Sequence, residues 1–306
     1  TFIFVTVVLD MLALGMVVPV LPHLIEDFLG GDTSRAALMV GYFGTVWAVM
    51  QFFAMPVMGA LSDRFGRRPV ILLSNLGLGL DYVLMALAPN LAWLFVGRII
   101  SGICAASVST GMAYVADVTP PERRAQSFGF VGVAFGLGFV LGPAIGGLLG
   151  SVDPRLPFWA AAGASLLNAA YGFFILPESL PREKRRAFEW RRANPLGSLR
   201  FLRAHREVFA LAGAAFLSSL THAVLPAVFV LYSAYRYGWD EKAVGLALAG
   251  VGISSALVQG ALVGPLVRRF GERRVMIGGL LAGTAGFMLY AFAPTGLWFV
   301  AAIPIV

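Results

Sequence analysis

Nine apolar runs of about 20 residues follow one another along this chain, near 1–25, 37–61, 69–88, 91–116, 125–150, 156–176, 207–233, 242–267 and 272–293, and a tenth opens near 297. A run of that length, wound as an α-helix, matches the hydrocarbon thickness of a bilayer. Lipid offers no partner to a free backbone N–H or C=O, so each run must satisfy its own, and an α-helix does. The expected fold class is therefore all-α and polytopic, with about nine and a half membrane-spanning helices in the chain. Composition agrees: 58% of residues are hydrophobic and 13% charged, whereas a soluble domain carries about 25% charge.

The loops set the topology. Those after runs 2, 4, 6 and 8 hold 3, 2, 9 and 4 Lys/Arg, against 1, 0, 1, 2 and 0 after runs 1, 3, 5, 7 and 9. The positive-inside rule places the first set, and with it the N-terminus, in the cytoplasm. The net charge of +7 is thus explained by membrane topology and not by a nucleic-acid partner. Cys104 is the single cysteine, so the chain has no internal disulfide and no zinc spacing. The chain opens at Thr1 and closes at Val306 inside apolar runs, and both ends read as cut.

The longest polar stretch, 177–206, divides six runs from the rest. Its aromatic and leucine residues among arginines suggest a partly amphipathic connector at the bilayer surface. The expected organisation is a six-helix half over 1–176, a cytoplasmic linker over 177–206 and an incomplete second half over 207–306. A repeat supports it: "GALSDRFGRRPV" at 59–70 returns as "GPLVRRFGERRV" at 264–275. Two such halves are a transporter pattern, which implies a whole protein of about 400 residues with two further helices.

Several polar groups carry the chemistry. Gly66 permits a tight turn between two helices. Asp63 can cap the second helix or pair with Arg67 or Arg68. A positive-inside anchor needs only the arginines; the glycines, the acid and the second copy point to a breakable latch on the cytoplasmic side. Asp10 and Asp81 lie midway along runs 1 and 3, where an acid is costly and faces a cavity or a partner. A plain hydrogen bond within the bundle would explain either; proton uptake and release would too. Arg98, inside run 4, needs an acid or carbonyl partner, and a structural ion pair and a direct role in transport both fit it. Gly138, Gly142, Gly146 and Gly150 recur every four residues and let another helix approach closely, while Pro143 can bend their helix. His222 fits a hydrogen-bonded wall residue or a group titrating near neutrality, and Asn168 is a cavity candidate.

"GALSDRFGRRPV" at 59–70 resembles the loop signature of the major facilitator superfamily. "LFVGRIISG" at 94–102 resembles its fourth-helix arginine motif, and "GLGFVLGPAIGG" at 136–147 the fifth-helix motif of its drug/proton antiporter branch. "LDMLALGMVVPVLP" at 9–22 resembles that branch's first helix, while "LSNLGLGLDYVLMALAP" and "NPLGSLR" resemble bacterial tetracycline/proton antiporters. The resemblance implies proton-coupled efflux of a small amphipathic drug, tetracycline among the candidates, across the bacterial inner membrane by alternating access. Asp10 and Asp81 would couple protons, and Gln51, Arg98, Asn168 and His222 would line the substrate cavity. Gly59, Asp63, Arg64, Gly66, Arg67, Arg68, Asp117 and Arg124 would form the cytoplasmic gate. Gly138, Gly142, Pro143, Gly146 and Gly147 would form the antiporter motif. Partners would be substrate, protons and lipid around a monomer.

Departures from the pattern bear on substrate. Gly283 stands where tetracycline antiporters carry a ninth-helix acid, so coupling would fall on Asp10 and Asp81, and Arg268 replaces Asp63 in the second repeat. No Walker-type glycine loop appears, so the energy source would be the proton gradient, with no cofactor. No nucleophile–base–acid set appears, so an enzyme is not expected. The alternatives are a same-fold uniporter or symporter of a small metabolite, a membrane sensor, or an inactive fragment.

Overall fold

The computed structural model describes residues 2–105, 107–190, 193–194 and 206–305. Thirteen α-helices and no strand occur among them: α1 (Phe2–Val17), α2 (Leu21–Phe28), α3 (Thr33–Phe65), α4 (Arg67–Leu87), α5 (Leu91–Cys104), α6 (Ser107–Val118), α7 (Arg124–Gly150), α8 (Leu156–Ile175), α9 (Arg206–Tyr237), α10 (Glu241–Leu257), α11 (Val263–Phe270), α12 (Glu272–Phe292) and α13 (Gly296–Ala302). Seven segments among the described residues are long and apolar enough to cross a membrane: Ile3–Phe28, Thr33–Phe65, Arg67–Leu87, Leu91–Val118, Pro121–Gly150, Leu156–Ile175 and Arg273–Phe292.

Local chemistry explains where the helices start and break. Run 1 divides into α1 and α2 around Pro19, which lacks an N–H to continue the ladder, and Pro22 sits in the first turn of α2, where none is required. Asp32, Asn90 and Asp240 cap α3, α5 and α10 by accepting from the backbone N–H groups of Arg35, Trp93 and Ala243 at 3.0, 3.3 and 2.8 Å. Run 8 is interrupted by a π-turn at Val258–Leu262 between α10 and α11. The sequence repeat has a backbone counterpart. Gly66 joins α3 to α4 at φ 106° and Gly271 joins α11 to α12 at φ 80°, a region open to glycine.

Packing positions the site. α1 lies against α7 and α8, α4 against α8 and α5, and α3 against α5. Ile25, Met85, Leu94 and Phe158 are fully buried at the centre of the first part of the chain. A smaller core in the second part gathers Phe229, Val244, Tyr290 and Phe299, with the last two rings stacked at 4.0 Å. Exposed side chains such as Leu73, Leu167, Phe174 and Leu281 are the face a bilayer would cover.

Helix α7 is the hinge of the packing, because small residues bring its backbone close to two neighbours. A Cβ on Gly138, Gly142 or Gly146 would lie 2.2 Å from Met11 Cβ, 2.7 Å from Gly15 Cα or 2.1 Å from the Met16 carbonyl, all on α1. This is the close approach the four-residue spacing predicts. A second face meets α10: Gly147 would touch the Glu241 carbonyl at 2.3 Å, and a Cβ on Gly245 would meet the carbonyl of Pro143 at 2.3 Å. Thus α7 ties the first part of the chain to the second. Gly150, grouped with the α1-facing glycines from its spacing, lies against Val20 and Glu241.

Candidate functional site: buried acids and a charged turn

Asp10 sits on α1, half-buried, where α1 meets α8. Its Oδ1 accepts from Asn168 Nδ2 at 2.8 Å, and the same nitrogen donates to the Thr6 carbonyl at 2.9 Å. A cavity of ≈20 Å³ adjoins Asp10, lined by Val7, Met11, Ile71, Val108, Met112, Val131 and Phe135. That is room for one water. Asn168, expected on the wall of a substrate cavity, is instead 0% exposed. Its recorded hydrogen bonds go to the acid and to the Thr6 carbonyl.

Asp81 lies on α4 with 1% exposure, and neither carboxylate oxygen has a hydrogen-bond partner. It packs where α4 crosses α5: a Cβ on Gly97 would lie 3.0 Å from its Oδ1. Arg98 follows Gly97 on α5. Arg98 itself stacks its guanidinium over the Trp47 ring at 5.5 Å, and its Nε is unpaired. The sequence asks for an acid or carbonyl partner; the closest aromatic contact is an indole face, which attracts a cation through its quadrupole. Gln51 is half-buried one turn beyond Trp47 on the same face of α3. Arg98 and Trp47 meet where α3 packs on α5, and α3 also borders α9. The side chain of His222, on α9, lies outside the described residues. A Cβ on Gly283 would meet open space.

The charged turn gathers at the end of the bundle where residues 177–190 run. Arg67 is its hub. Its guanidinium reaches Asp63 at 2.6 Å, Asp117 at 3.1 Å and the Ser62 hydroxyl at 2.6 Å. Asp63 pairs with Arg67 and does not cap α4. That role falls to Glu178, which accepts from the Arg67 backbone N–H at 2.9 Å and from Leu180 at 3.0 Å. Glu178 fits because Gly66 has no side chain: a Cβ there would lie 2.1 Å from the carboxylate. Arg185 pairs with Glu178 at 3.6 Å, and the Arg186 N–H reaches the Asp63 carbonyl at 3.0 Å.

Glu178 and Arg185 were not among the sequence candidates. The available signal was an acid two residues past run 6, at the same membrane face as the uncapped start of α4. Four expected members lie apart from the hub. Arg124 donates to the carbonyls of Ala116 and Thr119 at 3.2 and 3.3 Å and not to an acid. Arg68 donates to the Phe173 carbonyl, and Arg64 lies over the Phe65 ring at 5.1 Å. Gly59 would carry a Cβ into open space. The recorded partners of Arg67 all belong to the first part of the chain and the linker, among the described residues.

The sequence profile of the Major Facilitator Superfamily matches residues 3–306. The chain belongs to that superfamily. It is 43% identical over 291 residues to the tetracycline resistance protein, class C, of Escherichia coli, covering 95% of this chain and 73% of that protein. With the tetracycline resistance protein, class D, of Salmonella ordonez it shares 36% identity over 292 residues, covering 95% of this chain and 73% of the other. Its fold is similar to the crystal structure of the human organic anion transporter MFSD10 (TETRAN), with a TM-score of 0.73 and 26% identity over 100% of this chain and 83% of the other. In this Major Facilitator chain the charged turn and the two membrane acids sit in different layers. The turn sits at the end of the bundle, and the acids sit within its helical interior.

Proposed function

We propose that the protein is a proton-coupled antiporter that expels a small amphipathic drug, with tetracycline as the first candidate, by alternating access in the bacterial inner membrane. The observation that carries this reading is Asp10: an acid inside an apolar helix, oriented by the Asn168 amide at 2.8 Å, beside a cavity the size of one water. An apolar bundle gains nothing in stability from such a group, so its presence points to a task that needs a carboxyl. Kinship with tetracycline resistance proteins at 43% identity supports the substrate class.

In this proposal a proton from outside binds at Asp10, with Asp81 as a second site, and biases the bundle toward the inward-facing state. Drug from the cytoplasm enters between the halves past Gln51, Trp47 and Arg98, the proton leaves, and the reverse rocking releases the drug outside. The six-helix half over 1–176 and the second half from 207 move as units about the glycine contacts of α7 and α10. The 177–206 linker and the Arg67 hub lie in the cytoplasm, as does the N-terminus, and the carrier works as a monomer without a cofactor. Everted vesicles holding the full-length protein test this: tetracycline uptake should follow the imposed proton gradient and collapse with an uncoupler. Asp10→Asn should lower gradient-driven uptake at least tenfold while leaving protein levels unchanged. Gradient-driven uptake that survives Asp10→Asn would remove Asp10 from the mechanism.

A further inference from the structure

The cavity beside Asp10 rests on a third apolar core, separate from the two described above. Ile71 and Val131 line the cavity and are 2% and 3% exposed. They pack with Ile3, Tyr114, Val115 and Leu176. Val7, Met112 and Phe135 line the same cavity and pack against this cluster from the side of the acid.

Chain geometry puts the cluster between the acid and the charged turn. Ile3 lies seven residues before Asp10 on α1, about 10 Å along the axis. Ile71 is one turn past Arg67 on α4, and Tyr114 and Val115 lie just before Asp117 at the end of α6. Val131 is two turns into α7, and Leu176 directly follows α8. All six therefore belong to the helix ends that carry the Arg67 hub. The linker fastens this layer to the hub through three consecutive residues. Leu176 is a member of the layer. Pro177 accepts from the Tyr114 hydroxyl at 3.1 Å. Glu178 is held by the Arg67 N–H at 2.9 Å and by Arg185 at 3.6 Å. Asp117, three residues after Tyr114, pairs with the same Arg67 at 3.1 Å. Packing alone explains an apolar layer; it does not explain a membrane acid with a one-water cavity on one side and separable ion pairs on the other.

We propose that this layer is the cytoplasmic proton gate of Asp10, and that residues 176–178 are the strap that keeps it shut. The proposal rests on the proton-carrying role of Asp10. An apolar constriction excludes water and, with it, a proton. While the strap holds, the layer separates the Asp10 carboxyl from cytoplasmic water. Ion pairs at an aqueous face part at modest cost. When Arg67 leaves Asp117 and Arg185 leaves Glu178, the strap lifts, Leu176 and the Tyr114 ring withdraw, and water enters. The proton then passes from the Asp10 carboxyl to water in the cavity and on to the cytoplasm, leaving a carboxylate that accepts from Asn168. Opening of the hub and release of the proton become one event.

The test is the drug-free proton leak of proteoliposomes holding the full-length protein, followed with an internal pH-sensitive dye under an imposed gradient. Leu176→Ala and Val131→Ser breach the layer and should raise the leak roughly fivefold or more. Tyr114→Phe keeps the ring, loses the bond to Pro177 and should raise it roughly twofold. Leu167→Ala, on the lipid-facing side of α8 at 68% exposure, should leave it unchanged. Adding Asp10→Asn to Leu176→Ala should return the leak to that of the unaltered protein, which a merely loosened fold would not do. Should Leu176→Ala accumulate poorly, Tyr114→Phe with and without Asp10→Asn carries the same test. An unchanged leak in Leu176→Ala and Tyr114→Phe overturns the gate. So does a raised leak that persists with Asp10→Asn, because water then crosses by a path that bypasses the acid. Gradient-driven tetracycline uptake that survives Asp10→Asn alone refutes the proton-carrier reading instead, so the two failures are told apart.

Discussion

Replacing Gly138 by alanine puts one methyl group between α7 and α1, and its cost can be worked from the backbone. The new Cβ would lie 2.2 Å from Met11 Cβ, 2.7 Å from Met11 C and 3.0 Å from Met11 Cα, where ordinary contact begins at 3.4 Å. Two of those three atoms are main chain and cannot rotate aside, so the helices must separate by about 1 Å or the local backbone must bend. Overpacking of this kind costs about 1–3 kcal/mol. Alanine also raises helix propensity by about 1 kcal/mol over glycine, and that gain is shared by a control on the same helix. Gly132→Ala meets nothing within 4 Å. Subtracting the two variants cancels propensity and leaves the packing term, so Gly138→Ala should be about 1–3 kcal/mol less stable than Gly132→Ala. Met11 adjoins Asp10, whose bond to Asn168 spans 2.8 Å; a 1 Å shift carries that bond past the useful range of about 3.2 Å. Thermal or denaturant unfolding of the full-length protein in detergent gives the stability difference, and gradient-driven tetracycline uptake gives the functional one. Equal stability of Gly138→Ala and Gly132→Ala would refute the claim that α7 and α1 meet through backbone at this position.

Other perturbations follow from the same contacts. Gly245→Ala, 2.3 Å from the Pro143 carbonyl, should loosen the junction of α7 with α10 and raise the rate at which cysteine pairs placed across it fail to crosslink. Glu178→Ala removes the cap on α4 and should cost about 1 kcal/mol, read as earlier unfolding; Glu178→Gln should recover most of it. Gly66→Ala forces a side chain both into φ 106° and onto the Glu178 carboxylate, so its loss of stability should exceed that of Glu178→Ala. Trp47→Ala removes the ring beneath Arg98 and should weaken drug binding by roughly threefold to tenfold, an interaction of about 1 kcal/mol.

The order and spacing of the apolar runs were legible because lipid imposes them: each span must close its own hydrogen bonds and reach across a fixed thickness, while the breaks that divide runs 1, 4 and 8 into two helices each were not. The glycine seam of α7 was legible for a related reason, since a four-residue repeat of small residues has one geometric consequence. Its second seam, on Gly147 and Pro143 against α10, was hidden because the partner is more than 90 residues away. Charged residues were harder to read. Arg64, Arg67, Arg68 and Arg124 look alike as positive loop residues, yet only Arg67 reaches the acids, because its place at the start of α4 points it back toward Asp63 while Arg68 turns outward to Phe173. Glu178 escaped notice because a residue that caps a helix 111 positions earlier leaves no local pattern.

Asn75 marks the limit of one-dimensional reading. In the line of α4 it is one polar residue among leucines and glycines, of the kind that hydrogen bonds anywhere. Its meaning depends on three facts that only packing supplies: α8 runs antiparallel to α4, Gly172 and Gly79 fix the register to within one residue, and Asn168 has already given both of its protons away. Each fact alone is ordinary. Together they leave an acceptor on α8 and a whole amide on α4 buried in one interface, each without a hydrogen-bond partner.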